Sequence, residues 1–204
     1  MSKTPAKVWQ EMLRGNQRFV AGEPLHPRQD VERRAELANS QAPDAALFGC
    51  SDSRLAAEII FDKGLGDLFV VRNAGQIVSA SVIASLEYAV EVLGVPLIVV
   101  LAHDSCGAVQ AAIDSQGEDA PLLPPHIATH IAPIVPAVQA ARKDGADAEP
   151  SEVGRVHLRN TVRGLVEASE LISDAVAEGR LAVVGANYRL SEGRAAPDVV
   201  IGSV

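Results

Sequence analysis

Short apolar runs alternating with helix-sized segments form the main pattern along this chain. Four runs are rich in Val, Ile and Leu, which is typical of strands buried on both faces. They cover residues 45–49, 67–71, 96–102 and 181–185. Helix-sized segments at 55–63 and 79–93 separate the first three runs, and a glycine follows each segment. This order of strands and helices predicts right-handed crossovers and a parallel sheet.

The N-terminal 40 residues have a different pattern. Apolar positions at helical spacing predict an amphipathic helix over 6–20, which carries the single tryptophan of the chain, Trp9. Residues 25–43 are mostly polar and predict a surface connection with one helical stretch near 31–38. We therefore expect an N-terminal helical arm over 1–40.

Helical and loop patterns follow the third apolar run. Helices are predicted at 106–113, 126–142 and 151–178, with loop-like residues at 114–125 and 143–150. Pro133 and Pro136 should interrupt the second of these helices. The charged stretch 155–163 is interpreted as a solvated helix face. Residues 197–204 predict a weaker strand at the edge of the sheet.

These elements predict one α/β domain over 1–204, with the α/β core at 45–204. It contains a mostly parallel β-sheet of about four to five strands flanked by helices, and a candidate C-terminal edge strand. A chain of 204 residues is within the usual size of one domain.

The composition of the chain argues against a nucleic-acid partner and against a membrane span. The 18 Lys and Arg against 26 Asp and Glu give a formal charge of −8, and only 3% of residues are aromatic, so no nucleic-acid partner is expected. No apolar run reaches the roughly 18 residues of a membrane span, and no export signal is recognisable, so we expect a cytoplasmic protein. In that compartment the two cysteines favour metal binding or catalysis over a disulfide.

Both cysteines follow predicted strands. Cys50 ends the first apolar run, and His103 and Cys106 follow the third. The carboxyl ends of neighbouring parallel strands share one crevice, where these three side chains would converge. Two thiolates and an imidazole are a normal ligand set for Zn²⁺. Ordinary buried thiols are the alternative interpretation of the two cysteines.

The fourth ligand position decides what such a site does. Water there makes the site catalytic, whereas a protein ligand closes it. Asp52 lies two residues after Cys50 and is the candidate fourth ligand, while Arg54 could hold the same carboxylate by a bidentate pair. A carboxylate with two partners is a candidate switch.

At these residues the chain resembles the β-class carbonic anhydrases, zinc enzymes that interconvert carbon dioxide and bicarbonate. The resemblance rests on CSDSR at 50–54, HDSCG at 103–107, GDLFVVRNAG at 66–75 and SLEYAV at 85–90. It covers residues 9–112 well and the C-terminal half more loosely. The N-terminal stretch GNQRF at 15–19 is similar to the bacterial branch.

The resemblance implies one Zn²⁺ per subunit and hydration of carbon dioxide to bicarbonate and a proton through zinc-bound hydroxide. It implies that Cys50, His103 and Cys106 are the ligands, that Asp52 is the alternating fourth ligand with Arg54 as its partner, and that the pair is a candidate pH-dependent gate. It further implies that Gln41, Phe69 and Tyr88 contact the substrate. We expect a homodimer or a dimer of dimers (a homotetramer), with the N-terminal arm exchanged between subunits.

Two alternatives remain open. The same zinc site could hydrolyse carbonyl sulfide or carbon disulfide, because only access to the metal would differ. The second alternative is a non-catalytic, zinc-stabilised bicarbonate-binding protein, although such a site would not need the switchable Asp52.

His126 and His130, four residues apart, are interpreted as a surface or partly buried pair rather than as metal ligands.

Overall fold

The computed structural model describes residues 3–117, 119–142 and 148–204, and its centre is one sheet. The strands are β1 (Ala45–Cys50), β2 (Leu68–Asn73), β3 (Leu97–His103), β4 (Ala182–Arg189) and β5 (Arg194–Ile201). They lie in the order β2-β1-β3-β4-β5. The first four are parallel, and β5 pairs with β4 in the antiparallel direction. The mostly parallel sheet and its C-terminal edge strand are therefore confirmed.

Helices cover both faces of the sheet. Those in the described part of the chain are α1 (Pro5–Ala21), α2 (Val31–Glu36), α3 (Ala57–Ile60), α4 (Ala80–Glu91), α5 (Gly107–Asp114), α6 (Pro125–Ile131), α7 (Val135–Ala141), α8 (Pro150–Glu167) and α9 (Glu170–Ala177). Short 3₁₀ turns follow α2 at Leu37–Asn39 and α6 at Ala132–Ile134. None of these helices has the length and hydropathy needed to cross a membrane.

The helix predictions differ from the structure in two places. The segment 151–178 forms two helices, because Ser169 caps α9 by accepting the N–H of Ile172 at 3.2 Å and donates to Glu87 Oε1 at 2.6 Å. The segment 55–63 forms only the four-residue α3, since Asp62 adopts a φ of 47° just beyond its end. The interruption of 126–142 at its prolines is confirmed. Residues 143–147 of the predicted loop 143–150 lie outside the described residues.

The sheet separates two apolar clusters, which explains the continuous apolar runs. Along β3, Leu97, Val99 and Leu101 face one cluster, and the alternate residues face the other. Every residue of β3 is buried. The edge strand β2 is different, because each of its residues is at least partly exposed.

The N-terminal helix packs on its own chain, against the expectation that the arm is exchanged between subunits. Val8 and Met12 are fully buried, and each such side chain stabilises the fold by about 1.5–3 kcal/mol. Asn16 donates from Nδ2 to the carbonyls of Ile60 at 3.0 Å and Gly193 at 2.8 Å, which ties α1 to α3 and to the β4–β5 turn. In contrast, α2 has no buried residue.

Candidate metal centre

Three side chains meet at the carboxyl edge of the sheet. Cys50 is the last residue of β1, His103 is the last residue of β3, and Cys106 is the N-cap of α5. Since β1 and β3 are neighbouring parallel strands, their ends lie side by side. One nitrogen or sulfur atom from each residue lies within 4.8 Å of the other two, and all three residues are buried. The structure thus brings together the three ligands predicted from the sequence.

The imidazole of His103 is oriented for metal binding. Its Nδ1 donates to the carbonyl of Asp104 at 2.8 Å, which leaves the lone pair on Nε2. That Nε2 is buried and has no hydrogen-bond partner. A buried nitrogen acceptor without a donor is costly unless a cation binds it. Together with two adjacent thiols, it fits a Zn²⁺ ion.

The two thiols titrate as a pair. The adjacent Cys106 thiol lowers the pKa of Cys50, helped by the nearby imidazole of His103 and by the N–H of Gly75, which lies 3.3 Å from Cys50 Sγ. The neighbouring Cys50 and burial raise the pKa of Cys106. Two thiols that share one proton in this way offer a cation two thiolates once that proton leaves.

Asp52 and Arg54 stand at the rim of this cluster. The guanidinium donates to both carboxylate oxygens, at 2.9 Å from Nε and 2.7 Å from Nη2. This hydrogen-bonded pair holds the pKa of Asp52 well below its usual range. Asp52 Oδ2 is also 3.9 Å from Nε2 of His103. The carboxylate is therefore bound to arginine while it lies beside the ligand atoms.

Arg72 fixes the turn that carries Asp52. It lies on β2 opposite Gly49 of β1, and it donates from Nε to the carbonyl of Cys50 at 2.9 Å and from Nη2 to that of Asp52 at 2.6 Å. This contact was not predicted from the sequence. The register of β1 and β2 indicates this contact, because it places Arg72 opposite the end of β1.

Gln41 and Phe69, two of the predicted substrate residues, lie towards the opposite end of β1 from Cys50. Gln41 is exposed and precedes β1, whose six residues span about 16 Å at ~3.3 Å per residue before Cys50 is reached. Phe69 lies opposite Ala46, near the start of β1, and its ring is 6.1 Å from that of Tyr88. Tyr88 is 44% exposed. Gln41 and Tyr88 are thus exposed, whereas Phe69 is partly buried against the apolar cluster that contains Ala46.

Two histidines contact the turn beyond β2. His157 Nε2 donates to the carbonyl of Gly75 at 2.8 Å, and His130 Nε2 donates to that of Ala74 at 2.8 Å. The solvated face predicted for 155–163 is wrong for His157, which is 4% exposed, and for Thr161 beside it. The i, i+4 spacing of Val153, His157 and Thr161 indicates that one side of α8 is buried.

Comparison with known proteins identifies the family. The family model described as carbonic anhydrase matches residues 45–195 of this chain, which include all three ligands. Carbonic anhydrase 2 of Mycobacterium tuberculosis is 48% identical over 200 residues, covering 98% of this chain and 96% of that protein. The chain belongs to the β-class of the carbonic anhydrase family. It is therefore an enzyme.

Further relatives agree with this membership. The carbonic anhydrase of Mycolicibacterium smegmatis is 46% identical, covering 95% of this chain and 93% of that protein. Among solved structures, one of the tetrameric β-carbonic anhydrases of the fungus Sordaria macrospora has a TM-score of 0.71 and 27% identity, covering 93% of this chain and 95% of that one. The resemblance therefore extends over the N-terminal helix as well as the sheet.

Proposed function

We propose that this carbonic anhydrase hydrates carbon dioxide reversibly to bicarbonate and a proton, with one Zn²⁺ per subunit held by Cys50, His103 and Cys106. One observation carries the proposal. Nε2 of His103 is buried without a partner next to two thiols, and an arginine-bound carboxylate lies 3.9 Å from it. A purely structural site would not need that carboxylate.

The chain supplies the electrostatics of the centre. Zn²⁺ contributes Lewis acidity, which makes a nucleophile available from water near neutral pH. Two thiolates and a neutral imidazole offset the whole charge of the ion, so its pull on water is weaker than with three neutral ligands. We therefore expect activity to rise on the alkaline side of neutrality.

Asp52 and Arg54 act as the gate. While Arg54 holds both carboxylate oxygens, Asp52 would leave a zinc ion held by the three ligands open to water. Once released from Arg54, the same carboxylate would be free to bind that ion and close the site. Because the pKa of Asp52 lies well below its usual range, the carboxylate stays charged at any working pH. A neutral water would compete with the Asp52 carboxylate for the metal less well than a hydroxide does, so exchange of partners would close the site at low pH without protonation of Asp52.

A second copy of the chain completes the substrate pocket. Gln41 precedes β1 and Phe69 lies beside its start, whereas Cys50 ends it, and Tyr88 lies next to Phe69 of the partly exposed edge strand β2. In a homodimer, or in a dimer of dimers, these residues reach the ligands of the partner subunit. The Sordaria relatives, which are described as tetrameric, support this assembly. A cytoplasmic location fits cysteines that serve as thiolate ligands.

The direct test is a rapid-mixing assay of carbon dioxide hydration. We expect the zinc-loaded protein to accelerate hydration well above buffer and Cys106→Ser to return the rate to that of buffer. No acceleration by the zinc-loaded wild type between about pH 6.5 and 9 would overturn the proposed activity. A bicarbonate-binding protein would take up zinc and give that result.

A further inference from the structure

The turn between β2 and α4 contributes to the metal centre although it carries no ligand. Its Gly75 donates the backbone N–H to Cys50 Sγ at 3.3 Å. Asn73 closes the turn, since its Nδ2 and Oδ1 bond the carbonyl and the N–H of Ile77, each at 2.7 Å. The direction of the Gly75 amide therefore depends on how this turn is held.

Two imidazoles from distant segments hold adjacent peptide groups of the turn. His130 donates to the carbonyl of Ala74, which belongs to the same planar peptide group as the Gly75 N–H. His157 donates to the carbonyl of Gly75, which belongs to the next peptide group. Each carbonyl only accepts, so Nε2 carries the proton in both imidazoles. A bond accepted at the Ala74 carbonyl also polarises the Gly75 N–H and strengthens it as a donor.

The turn has little room to move. Gly75 has a φ of 78°, and a Cβ at this position would lie 2.8 Å from Cβ of Ala108. Ala108 lies on the first turn of α5, two residues after the ligand Cys106. The turn is thus enclosed by α5 and by the two histidines on α6 and α8.

We propose that His130 and His157 are positioning residues for the metal centre, fixing two adjacent peptide groups so that the Gly75 N–H stays directed at the Cys50 sulfur. The proposal rests on the zinc centre of the proposed function. A hydrogen bond to a metal thiolate stabilises the sulfur lone pairs and reduces their donation to the metal. Loss of either imidazole releases the amide, makes Cys50 a stronger donor and loosens its orientation.

Cobalt substitution tests this without an activity assay. In cobalt-loaded His157→Met and His130→Met we expect the sulfur-to-cobalt charge-transfer band to move to lower energy. A sulfur that has lost its hydrogen bond is also protonated more readily, and partners of metal ligands change metal affinity by about 10–100-fold. We therefore expect zinc release to a chelator to be at least about tenfold faster in both variants. His157→Gln keeps an amide donor at this position and should restore most of both properties.

Two control variants separate positioning from general stability. Thr161→Val removes another buried polar group of α8, whose Oγ1 donates to the carbonyl of His157 at 2.9 Å. His126→Met changes an exposed residue one turn before His130 on α6. We expect both controls to keep the wild-type spectrum and release rate. An unchanged spectrum in His157→Met and His130→Met, or an equal shift in the controls, would overturn the proposal.

A measurement on the wild-type protein tests the proposal even when the variants do not fold. Loading with an NMR-active cadmium isotope should give scalar coupling between the metal and the amide proton of Gly75, and absence of this coupling contradicts the proposal. Failure of the proposed function has a different signature. A wild-type protein that takes up cobalt without any thiolate charge-transfer band lacks the zinc centre itself.

Discussion

The two sets of predicted functional residues differ in how one chain holds them. Cys50, His103 and Cys106 are buried at the ends of strands and at a helix start. Backbone groups of neighbouring residues bond the first two of these side chains. Phe69 and Tyr88 lie at the sheet edge, with one ring contact between them and partial exposure. A single chain therefore brings the three metal ligands together, whereas we propose that a neighbouring subunit completes the substrate pocket.

The largest expected effect concerns the metal centre. Cys50→Ser removes one of two thiolates, so we expect zinc content to fall far below one ion per chain and hydration to fall to the buffer rate. Elemental analysis of the purified protein measures the first and rapid mixing the second. His126→Gln is the control and should keep both. A Cys50→Ser variant that keeps one zinc ion per chain and full activity would contradict the assignment of Cys50 as a zinc ligand.

Next in size is the effect of separating the subunits. Tyr88→Glu places a charge on the exposed aromatic pair, and we expect a lower molar mass by light scattering together with a loss of activity of about tenfold or more. Zinc content should stay at one ion per chain, because the ligands belong to one subunit. Ile127→Glu, at a 47% exposed apolar residue of α6, should change neither property. A fully active monomer would contradict the shared pocket.

A smaller effect is expected from Arg72→Gln. The variant loses the charged donors that hold the carbonyls of Cys50 and Asp52, while the three ligands remain. Charge-assisted hydrogen bonds contribute about 1.5–3 kcal/mol, so we expect roughly a tenfold loss of kcat/KM with zinc content unchanged. Loss of zinc in this variant would show that the turn supports binding of the metal as much as it supports the gate.

Asp52→Asn should change the shape of the pH profile. The amide is a poor zinc ligand, so the closed form disappears and the fall of activity below neutral pH becomes shallower. The absolute rate should also fall, since Arg54 loses its bidentate partner. Steady-state rates over a range of pH check both effects. An acid limb as steep as that of the wild type would contradict the gate.

The smallest effect is on stability. Burial lowers the pKa of His157 in the folded state, so below about pH 6.5 the unfolded chain binds a proton that the folded chain does not. The stabilisation that comes from keeping His157 neutral is present in full above about pH 6.5, and it is lost as the pH falls below that value. His157→Gln should remove a slope of at most about 1.4 kcal/mol per pH unit. Urea unfolding of variant and wild type at several pH values measures the difference, with Thr161→Val as the control.

The sequence predicted best what is buried within one chain. The strands were predictable because β1 and β3 are apolar on both faces. The ligands were predictable because Cys50 and His103 end these strands and Cys106 follows three residues after His103. The break at Ser169 was missed because the apolar spacing continues through it. The contacts of His130 and His157 were missed because they join residues 56 and 82 positions apart. The packing of α1 on its own chain was also not predicted, since an amphipathic pattern does not say which surface covers it.

X-ray absorption at the zinc edge of the loaded wild-type protein tests the central claim most directly. We expect two sulfur neighbours at about 2.3 Å and two nitrogen or oxygen neighbours at about 2.0–2.1 Å, from Cys50, Cys106, His103 and one exchangeable oxygen ligand. In Cys106→Ser the sulfur count should fall or the zinc should be lost. A wild-type spectrum with fewer than two sulfur neighbours would contradict the proposed centre.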